Sequence, residues 1–321
     1  MTGPLSTDRA PATRVRVGVL GVGHLGQHHA RLLAAMPGVE LAGVVDQDAE
    51  RAALIAGRCG VTAFTTPEDL LDRVDAVTVA TPTTAHLSAA VPFLRRGLGA
   101  LVEKPIAASL AEADALIREA AAGGAILAAG HTERFNPAVT AAWPLIHEPR
   151  FVEVHRLGVF PDRSLDIDVI FDLMIHDFDL LLASVGSEVV SIEAVGVAVL
   201  TSRTDIANVR LRFASGCIAN LTASRISRDR VRKIRFFQQD AYVSIDCAAR
   251  EVEVYRLEPD HGRRVIRGGA IDVQDAEPLA LELADFVEAV RLRRQPRVTG
   301  EDGRRALALA ERVSTEMRRG L

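Results

Sequence analysis

The feature that most constrains this chain is the hexapeptide Gly21-Val22-Gly23-His24-Leu25-Gly26. It follows a β-branched run over 14–20 and opens a helical stretch over 24–35. In a GxGxxG at a strand-to-helix junction, the first Gly allows the tight turn. The second lets backbone approach a pyrophosphate, and the third lets helix and strand pack closely. The helix N-terminus then faces the diphosphate. Asp46 ends the next strand, 20 residues beyond Gly26. A carboxylate there bonds both ribose hydroxyls of NAD and repels the 2′-phosphate of NADP. Gln47 and Asp48 follow, so no adjacent Arg is ready for that phosphate, and NAD is the expected cofactor.

Strands over 14–20, 39–46, 75–80, 99–103 and 125–129 alternate with helices over 24–35, 48–58, 84–96 and 109–122. Nearly continuous apolar strands indicate a parallel sheet covered by helices on both faces. Local signals add detail. Thr66 is placed to cap a short helix with Pro67 in its first turn. Pro92 should kink or split its helix. Ser109-Leu110-Ala111-Glu112 reads as a capping box. The second half differs. A mostly apolar helix over 168–183 precedes strand-like runs over 189–200, 206–213, 217–225, 231–237, 242–246 and 251–257, then two closing helices. Runs joined by short turns suggest a mainly antiparallel sheet. The expected fold class is α/β: an N-terminal doubly wound parallel sheet, then a C-terminal α/β domain with a large open, mainly antiparallel sheet. The expected boundaries are a flexible tail over 1–13, a Rossmann domain over 14–131 and a second domain over 132–321, whose closing helices are candidates to pack back on the first.

Composition narrows the function classes. With 48% hydrophobic and 25% charged residues in 321, the chain is globular rather than disordered. Its uncharged runs are shorter than the roughly 20 residues a spanning helix needs. No apolar signal-peptide core follows Met1. A net charge of −4 argues against a general nucleic-acid coat. Cys59, Cys217 and Cys247 form no CxxC, so neither a disulfide framework nor a zinc cage is supported, and a reducing cytoplasm fits. They read as small core residues.

Asp172 and His176 are four apart and share a helix face, which Asp168 and Asp179 extend. The rest of this helix is apolar. Such a stripe needs either internal polar partners or a cavity. Asp and His at this spacing also suit a metal, but no third clear ligand accompanies them, and none is expected. His176 suits removal of a hydroxyl proton near neutral pH. Asp172 would hold its tautomer and orientation.

Further segments matter together: Thr81-Pro82-Thr83-Thr84-Ala85-His86, Glu103-Lys104-Pro105, Gly130 to Pro137 (GHTERFNP), Asp172-Leu173-Met174-Ile175-His176 and the closing Gln295 to Gly303. In order and spacing they resemble the Gfo/Idh/MocA oxidoreductase family over nearly the whole chain after the tail. The resemblance implies a Rossmann domain followed by an α/β domain whose open sheet forms subunit contacts, hence a homodimer or homotetramer. It places Glu103 and Lys104 at the mouth of the nicotinamide site, with a cis bond at Pro105. Lys104 would bond the reacting hydroxyl, and Asp172 and His176 would be the substrate-side catalytic pair. Near cationic nicotinamide the charged form of Lys104 would be disfavoured. Where the family often has Gly, this chain has Met174, whose bulk would tighten the pocket.

Gly21, Gly23, His24, Leu25, Gly26, Asp46, Thr81, Pro82, His86, Glu103 and Lys104 are thus the candidate cofactor residues. Lys104, Arg134, Arg163, Ser164, Asp172 and His176 are the candidate substrate residues. His86 could equally cap its helix or lie on the surface, and Arg134 could pair with a carboxylate. Arg225, Arg228, Arg230, Arg232, Lys233 and Arg235 form a basic stretch, read as a solvated sheet face or as a diphosphate clamp. The stretches 130–139 and 156–182 are similar to the branch that oxidises UDP-N-acetylglucosamine at C3, whose product goes to an aminotransferase and on to lipid A. The expected activity is NAD-dependent oxidation of a sugar hydroxyl, with a UDP-linked sugar as substrate and neither nucleic acid nor membrane as partner. Free-sugar or inositol oxidation, and a non-catalytic nucleotide sensor, are the rivals.

Overall fold

A computed structural model describes residues 14–160, 167–261 and 263–319. The expected tail over 1–13, Arg163 and Ser164 lie outside the described residues. The chain divides into two compact units. One runs to Glu103 and adds Ala115–Ala128 and Leu283–Arg297; the other has Lys104–Asp114, Ala129–Glu282 and the chain from Val298 onward.

The first unit is built on β1 (Val15–Leu20), β2 (Val39–Val45), β3 (Ala63–Phe64), β4 (Ala76–Val79), β5 (Gly99–Glu103) and β6 (Leu127–Gly130). Their order is β3-β2-β1-β4-β5-β6, with β1 paired in parallel to both β2 and β4. Every residue of β4 and β5 is buried, as expected for strands covered on both faces. The order reverses at β1, and the carboxyl ends of β1, β2 and β4 lie side by side where open α/β sheets bind ligands.

The helices here are α1 (Gly26–Ala35), α2 (Ala49–Cys59), α3 (His86–Leu94) and α4 (Leu110–Gly123). Asp48 caps α2 by accepting from the amides of Glu50 and Arg51. Three local expectations need correction. Thr66 precedes a 3-10 turn, Pro67–Leu70, but its side chain makes no capping bond. Pro92 does not split α3, because the helix ends two residues later, at Leu94. The ring therefore disturbs only the last turn. At α4, Ser109 Oγ accepts from the Glu112 amide, while Glu112 reaches back to the amide of Ala108 rather than Ser109. The capping box is shifted by one residue.

The second unit contains α5 (Pro137–Ala142), β7 (Phe151–Leu157), α6 (Ile175–Val185), β8 (Val189–Val197), β9 (Ile206–Phe213), β10 (Ile218–Ser224), β11 (Val231–Phe237), β12 (Ala241–Asp246), β13 (Glu251–Asp260) and β14 (Arg263–Ile271). The helix α7 (Pro278–Leu292) straddles the division, and α8 (Gly300–Arg319) closes the chain. The strands form one sheet in the order β14-β13-β12-β11-β7-β10-β9-β8, antiparallel except where β7 meets β10. Two of these strands, β7 and β14, were not expected. Ile175, Phe178 and Leu181 of α6 join Ala306, Leu309, Ala310 and Val313 of α8 in one core with the inward residues of the sheet. The expected helix over 168–183 is in fact a π turn, Ile170–Met174, running into α6.

Candidate functional site

The first cluster is the glycine turn between β1 and α1. Gly21 has φ +81°, and a Cβ there would stand 2.8 Å from the Thr81 amide nitrogen. A Cβ on Gly26 would fall 1.8 Å from the Gly21 carbonyl oxygen. Both positions therefore demand glycine. Above Gly23, by contrast, a Cβ would meet nothing within 4 Å. The helix that begins here has no side-chain cap and no acid in its first turn. Its positive end is left to whatever enters that open space. The cradle fits a dinucleotide diphosphate. His24 and Leu25 are exposed at its rim, with the His24 ring edge-on to His28.

At the end of β2, Asp46 is buried and crowded with donors. Its carboxylate accepts from the amides of Val22 at 2.9 Å and Asp48 at 3.0 Å. Arg51 adds a fork, Nε to Oδ2 at 2.9 Å and Nη2 to Oδ1 at 2.6 Å. Burial alone would raise the Asp46 pKa; the bonds from Arg51, Asp48 and Val22 outweigh it and hold the carboxyl below its usual range. No Arg adjoins Asp46 in sequence, but Arg51 reaches it in the fold. Arg51 lies in the first turn of α2, which carries it back onto Asp46.

Beyond β4, Thr81 and Pro82 lead into a short 3-10 turn, Thr83–Ala85. His86 is buried, and its Nε2 lies 3.0 Å from the Thr81 carbonyl. A carbonyl only accepts, so Nε2 carries the proton. The surface reading of His86 fails. Glu103 is also buried, with Oε1 3.1 Å from Nε2 of His29. His29, inside α1, was not singled out by the sequence; its Nδ1 has no hydrogen-bond partner among the described residues.

The second cluster starts at the cis bond between Lys104 and Pro105. Lys104 Nζ donates to the Asp172 carbonyl at 2.6 Å and to Asp172 Oδ1 at 3.1 Å. Asp172 lies in the π turn, where the Ile175 amide bonds Ile170 five residues back. His176 follows as the second residue of α6. Its ring is edge-on to His131, 5.8 Å between centroids, and its Nδ1 has no hydrogen-bond partner among the described residues. Asp172 therefore serves Lys104 and does not orient His176. Burial, then the electrostatic influence of Lys104, Arg156, His131 and Arg232, pushes His176 well below the usual histidine range.

Around this cluster the remaining charges are committed. Arg156 of β7 grips Asp177 with Nε and Nη2, the shortest contact 2.7 Å, and Glu133 with Nη1 at 3.0 Å. Arg134, a substrate candidate from the sequence, is buried with Nε 3.6 Å from Asp179 and its guanidinium 5.3 Å from the Trp143 ring centre. Asp168 accepts from the Thr204 amide. The acidic stripe thus fans out to separate partners. Met174 is fully buried in the core, so it does not narrow a pocket. Among the described residues no group of three or more His, Cys, Asp or Glu is placed to hold a metal.

Half of the basic stretch is paired within the fold. Arg225 is buried against Asp205 at 2.8 Å, Lys233 pairs with Asp246, Arg235 with Glu153, and Arg232 lies 3.6 Å from Glu133. Arg228 and Arg230, in the turn after β10, and Arg232 stand exposed. Cys217 and Cys247 are buried, Cys59 is half-buried, and burial pushes the Cys217 thiol up to about 11. No helix among the described residues is long and apolar enough to cross a membrane.

Comparison with known proteins agrees with this architecture. Residues 15–131 match the oxidoreductase family with an NAD-binding Rossmann fold, and residues 111–244 match the GFO/IDH/MocA C-terminal domain. UDP-N-acetylglucosamine 3-dehydrogenase of Acidithiobacillus ferrooxidans is 42% identical over 93% of this chain and 96% of its own length. A solved structure of that enzyme superposes with a TM-score of 0.89 at 41% identity, covering 95% of this chain and 98% of that one. The scyllo-inositol 2-dehydrogenase (NAD(+)) of Bacillus subtilis is 26% identical over 96% of this chain and 95% of its own length. With a glycine cradle made for a diphosphate and this likeness along almost its whole length, the chain belongs to the Gfo/Idh/MocA family of NAD-dependent oxidoreductases.

Proposed function

We propose that the chain oxidises a sugar hydroxyl to a ketone, and that the sugar is UDP-N-acetylglucosamine reacting at C3. The observation that carries the chemistry is the convergence of Lys104 and Asp172 beside a His176 kept neutral at working pH. The name of the relative at 42% identity supports the substrate. Bound NAD supplies a hydride acceptor at C4 of its nicotinamide ring. The residues proposed to hold it are the turn Gly21 to Gly26, Asp46 at the ribose, the Thr81-Pro82 segment with His86, and Glu103.

Lys104, fixed by Asp172, donates to the reacting oxygen. As the C–H electron pair leaves as hydride, the hydroxyl proton passes to His176, Lys104 steadies the negative charge growing on oxygen, and the ketone remains. His176 then returns its proton to solvent. Neutral His176 can accept that proton; the protonated form could not. The 3-keto product would pass to an aminotransferase on a route to the 3-amino sugars of lipid A, in the cytoplasm. A homodimer or homotetramer through the second sheet completes the proposal.

A free sugar or inositol has one observation in its favour, since the cations best placed to clamp a diphosphate are mostly paired. A nucleotide sensor would have no use for Lys104, Asp172 and His176 held together. Turnover followed by NADH absorbance separates these readings. UDP-N-acetylglucosamine should react. Reaction with free polyols alone would exclude it. Lys104→Met and His176→Ala should each lose at least about a hundredfold in kcat while still binding NAD. Full activity in both would remove them from the mechanism.

A further inference from the structure

No carboxylate holds the ring of His176. Asp172 is committed to Lys104, and Nδ1 of His176 is buried with no hydrogen-bond partner among the described residues. Yet the torsion that turns an imidazole about its Cβ–Cγ bond is broad. What meets the ring is a second imidazole. His131 is buried, its ring centre lies 5.8 Å from that of His176, and the two planes stand at 89°. That separation and angle are those of an edge-to-face ring pair. Resting on the proposed role of His176 as the base, we propose that His131 is its positioning residue. Ring against ring, it sets the plane in which His176 presents Nε2 to the reacting hydroxyl.

The contact is held from both sides. His131 directly follows β6. Its amide donates to the Ala129 carbonyl at 2.9 Å, and its carbonyl accepts from the Arg134 amide at 3.0 Å. The backbone that carries the ring is thus fixed before and after it. His176 rides on α6, and Arg156 of β7 reaches both carriers. Its Nη1 donates to Glu133, two residues beyond His131, at 3.0 Å, and its Nη2 to Asp177, the residue after His176, at 2.7 Å. A planar guanidinium holds two carboxylates in one fixed fork, a geometry lysine does not offer. Burial would raise the Glu133 pKa, but Arg156 outweighs it and keeps that carboxyl below its usual range, so the fork meets an anion. Asn136 donates to the other Glu133 oxygen at 3.2 Å. One buried cation therefore ties the two ring-bearing segments together.

The test combines steady-state kinetics with UDP-N-acetylglucosamine and NAD+, calorimetry with NAD+, and crystal structures of full-chain variants. His131→Phe keeps a flat ring and should hold kcat within about threefold. His131→Leu fills the space without one. It should lower kcat at least about tenfold, with KM for the sugar and NAD+ affinity little changed. In its crystal structure the His176 ring should be turned from the plane it keeps in His131→Phe. In a His176→Ala background, His131→Leu should have no further effect, since no ring is left to place. An equal fall in His131→Phe and His131→Leu, full activity in both, or an unturned His176 ring in His131→Leu overturns the positioning role. If UDP-N-acetylglucosamine does not react, or His176→Ala keeps full activity, the substrate or base reading fails instead, and the ring planes in the crystal structures decide for His131. Should the leucine variant not fold, His131→Met fills the space flexibly and gives the same comparison.

Discussion

At His176 the neighbouring carboxylate does not take the orienting part expected of it. Asp172 is spent on Lys104, and burial, with Lys104, Arg156 and Arg232 nearby, holds the imidazole neutral. The sign for the proposed base follows directly. A histidine lowered below about 6.5 stays unprotonated until the pH falls beneath that shifted value. The acid limb of kcat/KM should therefore lie below the range of an ordinary histidine. Arg232 is 53% exposed, lies outside the proposed machinery, and is one of the cations pressing on the ring. Arg232→Gln should move the acid limb to higher pH with the plateau rate little changed; a stationary limb would mean that His176 does not govern it. Lys104, Asp172 and His176 were all legible in the sequence, because their motifs are local. Their pairing was not. The π turn resets the phase of the helix between Asp172 and His176, and no periodicity marks it. Arg51, His29 and Arg156 were missed for a related reason, since each acquires its meaning from a partner brought in by the fold.

At the scale of elements, the basic stretch shows how composition misleads without partners. Arg225 reads as an available cation, yet it is a buried strut for the loop between β8 and β9. Asp205 faces it and also accepts from the amides of Val199, Leu200 and Thr201 at 2.8, 2.6 and 2.9 Å. Burial would raise the Asp205 pKa, but these amides, the Thr201 hydroxyl and Arg225 drive it far below the usual carboxylate range. A carboxyl lowered in the fold adds stability above its unfolded pKa, near 4, and loses it as pH falls further. Asp205→Ala takes the countercharge from a buried guanidinium and the acceptor from three amides. It should cost about 3–5 kcal/mol in denaturant unfolding and speed amide exchange at Val199 to Thr201. Asp205→Ala with Arg225→Met should recover part of that loss, because the stranded charge goes with the arginine. An equal loss in both variants would mean that the amides, not the ion pair, dominate. The two strands of the second unit absent from the sequence reading belong to this scale too. The outward residues of β7 include Glu153 and His155, beside a buried Arg156, so its apolar half alone was a faint signal. Edge strand β14, Arg-Arg-Val-Ile-Arg-Gly-Gly-Ala-Ile, has little apolar surface to announce it.

For the molecule as a whole, the first unit was the more legible, because a doubly wound sheet writes itself as buried strands alternating with helices. In the second unit most partners are neighbours in sequence, but its centre is β7, whose residues pair with residues of β10 and β11 that lie 67 to 86 positions later. Periodicity carries no trace of such pairings. Each unit has its own task in the proposed chemistry, and ligand linkage reads the first task without any turnover. The cradle over Gly23 and the carboxylate of Asp46 exist only in the folded chain, so NAD+ binds the native state and not the unfolded one. At 100 times its Kd, NAD+ should add about 2.7 kcal/mol to apparent stability. NADP+ at the same concentration should add far less, because at the proposed ribose site its 2′-phosphate would meet the Asp46 carboxylate. Thermal unfolding of the full chain with each nucleotide measures both effects. Equal stabilisation by the two would mean that the Asp46 carboxylate does not discriminate at the ribose. A rise with NAD+ alone, narrowed by Asp46→Ser, would tie the selectivity of the whole protein to one carboxylate at the end of β2.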